Sequence, residues 1–269
     1  MSERAVHPGY TFVPMIGHPI AQVITPEPMN RYFTTAGIDA ALVPMDVAPE
    51  QVADFFRFVR GWSNCAGVSI TMPHKQAAYT YCDTISDRAA QAQAVNLIVR
   101  KADGTLAGDM TDGEAFVKAI GARGAMPAGS RFLLIGAGGA GAAVAHAMAK
   151  AQAAVIHIIE IDPARRTALG DSLQTHHPNI AIADRPDNPK IVDIVFNATP
   201  LGMEPDDPLP FPVATLADHC FVADAVTKPL VTPFIAAARA RELGTLTGEE
   251  MALAQLPIQL PLWGFAYSP

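Results

Sequence analysis

Short apolar runs alternate with helix-type patterns along the first 110 residues of the chain. A strand is predicted wherever a run of four to seven apolar residues is bounded by turn residues, which occurs at 10–16, 41–47, 66–70 and 94–99. Between these runs, Thr25-Pro26-Glu27 has the N-cap, proline and acid that open a helix. A second helix is predicted from residue 49, with apolar side chains at 52, 55, 56 and 59. Strands that alternate with helices are typical of an α/β domain.

The second half of the chain repeats this alternation after a break. A helix pattern begins at Thr111-Asp112 and leads to the linker-like segment GARGAMPAGS at 121–130. Further strands are predicted at 131–135, 155–159, 180–183, 191–196 and 220–224, and further helices at 231–241 and at 248–260, broken at Pro257. We therefore expect two α/β domains with mostly parallel sheets, and a cleft in which a cofactor meets a substrate.

A glycine-rich turn joins the strand at 132–135 to the helix that follows it. Gly136, Gly138 and Gly141 have G-x-G-x-x-G spacing, with Gly139 and Ala140 between them. In this spacing Gly136 permits a tight turn, Gly138 the close approach of a pyrophosphate, and Gly141 the close packing of helix on strand. Such a turn leaves unpaired N–H groups at a helix N-terminus, where the helix dipole also favours an anion. We therefore predict that these five residues bind the pyrophosphate of a dinucleotide. The alternative is a glycine-rich turn that serves packing alone.

Composition narrows the classes of partner. The 269-residue chain has a net charge of −7 and no long basic run, which argues against nucleic acid or anionic membrane as its main partner. Three widely separated cysteines and an N-terminus without an apolar signal core favour a cytoplasmic protein with reduced thiols. No metal site is predicted, because His176 and His177 are adjacent and His74 has no ligand partner at a suitable spacing.

Eight short motifs follow one another in a characteristic order. They are GHPI at 17–20, SITMPHK at 69–75, AVNLI at 94–98, GDMTDG at 108–113, the glycine turn, NATPLGM at 197–203, DAVTKP at 224–229 and GEEMALAQ at 248–255. Over nearly its whole length the chain resembles the shikimate/quinate dehydrogenase family. The resemblance implies a substrate-binding domain at 1–110 plus about 240–269, and a Rossmann dinucleotide-binding domain at 111–239. It implies a monomer or homodimer that acts on a small polyhydroxy carboxylate.

The resemblance implies that Lys75 and Asp112 form the catalytic pair. Oxidation of a secondary alcohol requires a base that takes the hydroxyl proton while hydride leaves for the nicotinamide, and a lysine held by a carboxylate can be that base. Without the resemblance, the alternative for Lys75 is a solvated lysine on the surface, and the alternative for Asp112 is a helix N-cap.

Further contacts are implied at other motif positions. Thr71, Asn96 and Gln255 fall where the family hydrogen-bonds the hydroxyls of the substrate, and Thr199 and Met203 fall where it lines the nicotinamide. The alternatives are a threonine at a strand end, a buried asparagine bonded to backbone, a glutamine on a helix face and a methionine that fills the core.

The chain departs from the family pattern around the substrate. Val23 replaces the first of two serines that bind the substrate carboxylate, while Thr25 retains a hydroxyl at the second. Ser69 and Met110 each replace an asparagine, and Thr227 replaces a tyrosine that closes over the substrate. Since a lost polar partner is costly in a site built for a carboxylate, we expect a reshaped pocket for a relative of shikimate or quinate.

An acidic end to the strand at 155–159 bears on the choice of cofactor. Glu160 and Asp162 follow the glycines at the distance where a carboxylate accepts a hydrogen bond from the ribose 2′-hydroxyl. NADP-dependent members of the family carry an arginine where this chain has Ile161. We therefore expect NAD, while Arg165 and Arg166 leave NADP possible and Asp162 is also a candidate helix N-cap.

The resulting hypothesis is an NAD-preferring oxidoreductase that interconverts a hydroxyl and a ketone on a shikimate- or quinate-like cyclic hydroxy acid. The alternative is a regulatory or binding protein that keeps the fold and the nucleotide site but has lost turnover.

Overall fold

The computed structural model describes residues 6–268, which divide into two compact α/β units. The first unit contains the chain up to Thr111 and again from Gln255, and the second contains Asp112–Ala254. The α/β class with an N-terminal domain and a Rossmann-type domain is confirmed. Among the described residues, no helix is long and apolar enough to cross a membrane.

The first unit is built on a six-stranded mixed sheet. Its elements are β1 (Thr11–Gly17), α1 (Pro26–Thr35), β2 (Ala40–Asp46), α2 (Val52–Gly61), β3 (Gly67–Ile70), α3 (Lys75–Tyr79), β4 (Thr84–Ile85), α4 (Asp87–Ala92), β5 (Leu97–Arg100) and β6 (Leu106–Asp109). The strand order is β2-β1-β3-β5-β6-β4, in which β1 is parallel to β2 and β3 while β5 is antiparallel to both of its neighbours. The carboxyl ends of β1, β2 and β3 therefore meet at one edge.

The second unit is built on a parallel six-stranded sheet. Its elements are α5 (Asp112–Ala122), β7 (Arg131–Ile135), α6 (Gly139–Lys150), β8 (Val155–Ile159), α7 (Pro163–His176), β9 (Ala181–Ala183), β10 (Ile194–Asn197), β11 (Phe221–Asp224), α8 (Pro233–Arg239), β12 (Thr245–Leu246) and α9 (Gly248–Leu253). The order β12-β11-β10-β7-β8-β9 is that of a dinucleotide-binding domain, and it reverses between β7 and β10.

The return of the chain to the first unit lies later than the predicted boundary near residue 240. It occurs at Gln255, because β12 pairs with β11 at the edge of the second sheet and keeps this stretch in the second unit. The helix predicted at 248–260 is two helices, α9 and α10 (Leu256–Leu262). The break precedes Pro257, which lies in the first turn of α10, where a missing N–H costs no helical hydrogen bond.

The strand predicted at 94–99 begins only at Leu97. The N–H of Val95 donates to the carbonyl of Lys75 at 2.9 Å and so is directed away from the sheet ladder. This strand belongs to a hairpin, in which β5 and β6 pair across a turn where Gly104 has a φ of +85°.

A glycine permits the close approach of α5 and α6 within the second unit. A Cβ atom on Gly113 would lie 2.2 Å from the carbonyl oxygen of Ala143 and 2.8 Å from the Cβ of Ala147. No larger residue fits without a shift of one helix. Gly113 therefore fixes where α5 begins, and with it the backbone position of Asp112.

Helices α6 and α7 share a cluster of histidines. The buried His146 lies with Nδ1 3.2 Å from Nε2 of His177 and Nε2 3.1 Å from the hydroxyl of Ser172. Burial lowers the pKa of His177 below its ordinary value of 6.5, and the neighbouring His176 and Lys150 lower it further. The folded protein therefore favours the neutral ring.

This cluster predicts a loss of stability in mild acid. Because the folded-state pKa of His177 is depressed, the unfolded chain takes up a proton first as the pH falls below about 6.5. We expect the free energy of unfolding, measured by urea denaturation, to decrease between about pH 7 and pH 5. A His177→Gln variant should show a shallower decrease, and an unchanged slope in that variant would contradict this origin.

Candidate functional site

The loop that follows β3 places Lys75 at the carboxyl edge of the first sheet. The N–H of Thr71 donates to the carbonyl of Ile16 at the end of β1, at 2.9 Å. The buried His74 donates from Nε2 to the carbonyl of Val47, beyond the end of β2, at 2.6 Å. These two anchors fix the loop, so that the half-buried Lys75 begins α3 in a defined position.

A buried chain of polar side chains lies beside this loop. Asn96 accepts the Thr111 N–H at Oδ1 (2.8 Å) and donates from Nδ2 to Thr111 Oγ1 (2.9 Å) and to Gln255 Oε1 (3.0 Å). Gln259 donates from Nε2 to Gln255 Oε1 (2.6 Å) and to Thr111 Oγ1 (3.1 Å). Asn96, Thr111 and Gln259 are each at most 2% exposed, whereas Gln255 is half-buried. The structure thus brings together two of the predicted substrate-binding residues, Asn96 and Gln255.

A second anchor holds the backbone that leads to Asp112. Asp109 accepts hydrogen bonds from Nε and Nη2 of Arg88, both at 2.7 Å, and from the hydroxyl of Ser86 at 2.5 Å. Burial alone would raise the pKa of Asp109, but the hydrogen bonds from Arg88 and Ser86 outweigh it and hold this pKa below its usual range. A bidentate pair of this kind restricts the chain just before Met110 and Thr111.

The positions discussed above as departures from the family pattern, and the retained Thr25, differ in their burial and packing. Val23 is half-buried against the apolar cluster that includes Leu256 and Leu260, so it forms an apolar wall where the family has a hydroxyl. Met110 and Ser69 are buried, at 1% and 4% exposure. The half-buried Thr25 precedes α1 without capping it, since its hydroxyl accepts no hydrogen bond from the described residues of the first turn.

The glycine turn of the second unit has the geometry that its spacing predicts. Gly136 has a φ of +93°, which side-chain-bearing residues rarely adopt. A Cβ on Gly141 would lie 2.0 Å from the carbonyl oxygen of Gly136, so this helix and turn touch directly. In contrast, no described atom lies within 4 Å of a Cβ built on Gly138, which leaves open space at the N-terminus of α6. Gly139 and Ala140 form the first turn of α6.

Glu160 is held in place at the end of β8. Its Oε2 accepts the N–H of Ala137 in the glycine turn at 2.6 Å, and its Oε1 accepts the N–H of Asp162 at 2.9 Å. Asp162 caps α7 by accepting hydrogen bonds from the N–H groups of Ala164 and Arg165. This is the helix N-cap for which the sequence made it a candidate. Ile161 between the two acids is 97% exposed.

Thr199 lies in a loop that buried polar groups hold in one conformation. Asn197 Oδ1 accepts the hydroxyl of Thr199 at 2.6 Å, and Asn197 Nδ2 donates to Asp224 Oδ1 at 3.0 Å. Burial raises the pKa of Asp224, although hydrogen bonds from Thr232 and from Asn197 oppose this shift. The loop continues to the half-buried Met203 through Gly202, which has a φ of +102°.

Three participants were missed by sequence reasoning. Gln259, Arg88 and Asp224 each fix a residue that the motifs identify. Asp224 entered the predictions only as the first letter of a motif, and Gln259 and Arg88 did not enter them. Gln259 had a visible signal, because it lies four positions after Gln255 on a helix that is otherwise apolar. In the part of the chain that the structure describes, no group of three or more His, Cys, Asp or Glu residues is suited to a metal ion.

Comparison with known proteins identifies relatives along the whole chain. A family profile described as the shikimate dehydrogenase substrate binding domain matches residues 15–98. A shikimate dehydrogenase (NADP(+)) of Acidiphilium cryptum is 37% identical over 262 residues, which span 95% of this chain and 90% of that protein.

Solved structures agree in fold. The 5-ketofructose reductase of Gluconobacter sp. strain CHM43 superposes with a TM-score of 0.84 at 28% identity, covering 96% of this chain and 95% of that one. The quinate dehydrogenase of Corynebacterium glutamicum in complex with NAD has a TM-score of 0.82 at 27% identity, with 94% and 93% covered. Sequence identity of 37% over 95% of its length, with the glycine turn and the ordered motifs in place, shows that this chain belongs to the shikimate dehydrogenase family of nicotinamide-dependent oxidoreductases.

Proposed function

We propose that this protein interconverts a ring hydroxyl and a ketone on a shikimate- or quinate-like cyclic hydroxy acid, with NAD as its preferred cofactor. The cluster of Asn96, Thr111 and Gln255 carries the proposal. Three buried or half-buried polar side chains from distant parts of the sequence converge beside the loop of Lys75, and such convergent polar groups are what a polyhydroxylated substrate requires. The alternative of a silent binding protein is not favoured, since the relatives are named as dehydrogenases.

Lys75 and Asp112 are proposed as the acid–base pair. In oxidation, Lys75 takes the hydroxyl proton at Nζ, and in reduction it returns that proton to the forming alkoxide. The Asp112 carboxylate orients the lysine and balances the charge of the ammonium. Thr71, Asn96 and Gln255 hold the remaining oxygens of the substrate, and Thr25 meets its carboxylate. A bound nicotinamide dinucleotide supplies or accepts the hydride.

The second unit fits a dinucleotide. The open space at Gly138, the φ of Gly136 and the N-terminus of α6 provide room and N–H donors for a pyrophosphate. Thr199 and Met203 are proposed to line the nicotinamide. For the adenosine end we propose Glu160, whose carboxylate is fixed by two backbone N–H groups and can still accept a ribose hydroxyl.

NAD preference is proposed from the residues around the ribose. A fixed carboxylate at Glu160 repels a 2′-phosphate, and Ile161 offers no charge to bind one. The similar quinate dehydrogenase of known structure contains NAD. The shikimate dehydrogenase of A. cryptum is named for NADP(+), so this preference would separate the chain from that relative.

Two glycine variants test the cofactor site. Gly138→Ala should keep the melting temperature, because its methyl group meets open space, but should raise the Kd for NAD at least about tenfold by occupying that space. Gly141→Ala should instead cost about 1–3 kcal/mol of stability, because its methyl group overlaps the Gly136 carbonyl. Calorimetric titration and thermal melts measure both. Unchanged NAD affinity in folded Gly138→Ala would contradict the proposed site.

Lys75 variants test the chemistry. The first measurement is the initial rate of NAD or NADP reduction with shikimate and with quinate. The rate of NADH oxidation with 5-ketofructose is measured beside it. We expect turnover of an acid with NAD, and a loss of about 10²- to 10⁴-fold in kcat for Lys75→Met and for Asp112→Asn. The exposed Lys101→Met is the matched control. Turnover of 5-ketofructose alone would overturn the acid substrate, and full activity in Lys75→Met would overturn the acid–base assignment.

An arginine at position 161 tests the choice of cofactor. Ile161→Arg should raise kcat/KM for NADP relative to NAD by about 10- to 100-fold, because a charge-assisted hydrogen bond to the 2′-phosphate contributes about 1.5–3 kcal/mol. Since Ile161 is 97% exposed, the fold should be unaffected, and Ile161→Gln serves as the uncharged control. Equal use of both cofactors by the unaltered protein would contradict the proposed preference.

A further inference from the structure

The direction of every amide in the cluster around Gln255 follows from one backbone group. An N–H can only donate, so the atom of Asn96 at 2.8 Å from the Thr111 nitrogen is the acceptor Oδ1. The other end of Asn96 is then the donor Nδ2, and its partner on Gln255 at 3.0 Å is Oε1. The atom of Gln259 at 2.6 Å from that oxygen is in turn the donor Nε2.

The carbonyl oxygen of Gln255 is therefore occupied from inside the protein. It accepts hydrogen bonds from Gln259 at 2.6 Å, from Asn96 at 3.0 Å and, more weakly, from the hydroxyl of Thr111 at 3.3 Å. The NH2 group of Gln255 is the end that this network does not engage. A side-chain amide rotates readily about its last torsion, and without Gln259 the carbonyl of Gln255 would lose the shortest of its three hydrogen bonds.

The burial of Gln259 is unfavourable for the free energy of folding, and its packing does not explain why a polar side chain lies there. It is 2% exposed, and within residues 6–268 its Oε1 has no hydrogen-bond partner. A buried acceptor without a donor is unfavourable, and an unbranched apolar side chain of similar length would avoid that penalty. The side chain is thus suited to the two hydrogen bonds that its Nε2 donates, the shorter to Gln255 at 2.6 Å and the longer to Thr111 Oγ1 at 3.1 Å, more than to the stability of the core.

We infer that Gln259 is a positioning residue that holds Gln255 as a hydrogen-bond donor, so that the site selects a substrate with an acceptor oxygen at that point. The inference rests on the proposed function, in which Gln255 touches the substrate. Val23, where the chain presents an apolar wall, supplies no such donor.

A double-mutant cycle tests the inference with the acid that supports turnover. Gln259→Met should raise KM about three- to tenfold and leave kcat within about twofold, because substrate and transition state lose the same contact. Gln255→Met should raise KM at least as much. Adding Gln259→Met to Gln255→Met should have no further effect, since the inference assigns the influence of Gln259 on the substrate to Gln255 and not to its hydrogen bond with Thr111 Oγ1. The exposed Gln51→Met is the control.

Two further readouts separate positioning from a structural role. The melting temperature of Gln259→Met should be unchanged or higher, because an unpartnered buried acceptor is removed. The 15N order parameter of the Gln255 side-chain amide should fall in that variant, and this measurement needs no substrate. Additive effects in the cycle, an unchanged KM or an unchanged order parameter would overturn the inference. Absence of turnover in the unaltered protein would instead refute the proposed function, and the order parameter would still decide the role of Gln259.

Discussion

The hydrogen bond from the Thr111 N–H to Asn96 Oδ1 is the constraint on which the polar cluster of the first unit depends. It fixes the direction of one amide, and the buried hydrogen bonds to Gln255 and Gln259 transmit that direction along the cluster. The bond forms only if the backbone between β6 and α5 follows one path. Within the first unit, that path is held by the ion pair of Asp109 with Arg88, just before Met110 and Thr111.

Local features of the fold were predictable because their physical causes are local. The spacing of Gly136, Gly138 and Gly141 predicted the turn, since it specifies a positive φ, an open position and a backbone contact, and all three are observed. The return of the chain to the first unit at Gln255, later than the predicted position near residue 240, has a cause that is not local. A strand as short as Thr245–Leu246 shows no periodicity, and only its pairing with β11 assigns it to the second unit.

The roles of individual site residues could be predicted only for residues that lie within recognisable motifs. Asn96 and Gln255 were named from the family resemblance, and the structure joins them by a hydrogen bond. Gln259 was not named, because its contact with Thr111 spans 148 positions and depends on how α10 lies on the sheet. That placement depends in turn on Trp263, whose Nε1 donates to the carbonyl of Ile98 at 3.0 Å. No spacing rule relates residues so far apart, and a single sequence shows no covariation.

The substitutions around the proposed substrate leave the scaffold unchanged. Val23 packs on the apolar cluster that includes Leu256 and Leu260, so burial of its side chain compensates for the hydroxyl that is absent there. A substrate carboxylate at that point would nevertheless lose a donor. The proposed donors that remain are Thr25 and the amide of Gln255, of which Gln255 belongs to the hydrogen-bonded cluster. If these proposed roles hold, specificity in this chain can shift through Val23 and its neighbours while the hydrogen-bonded cluster stays intact.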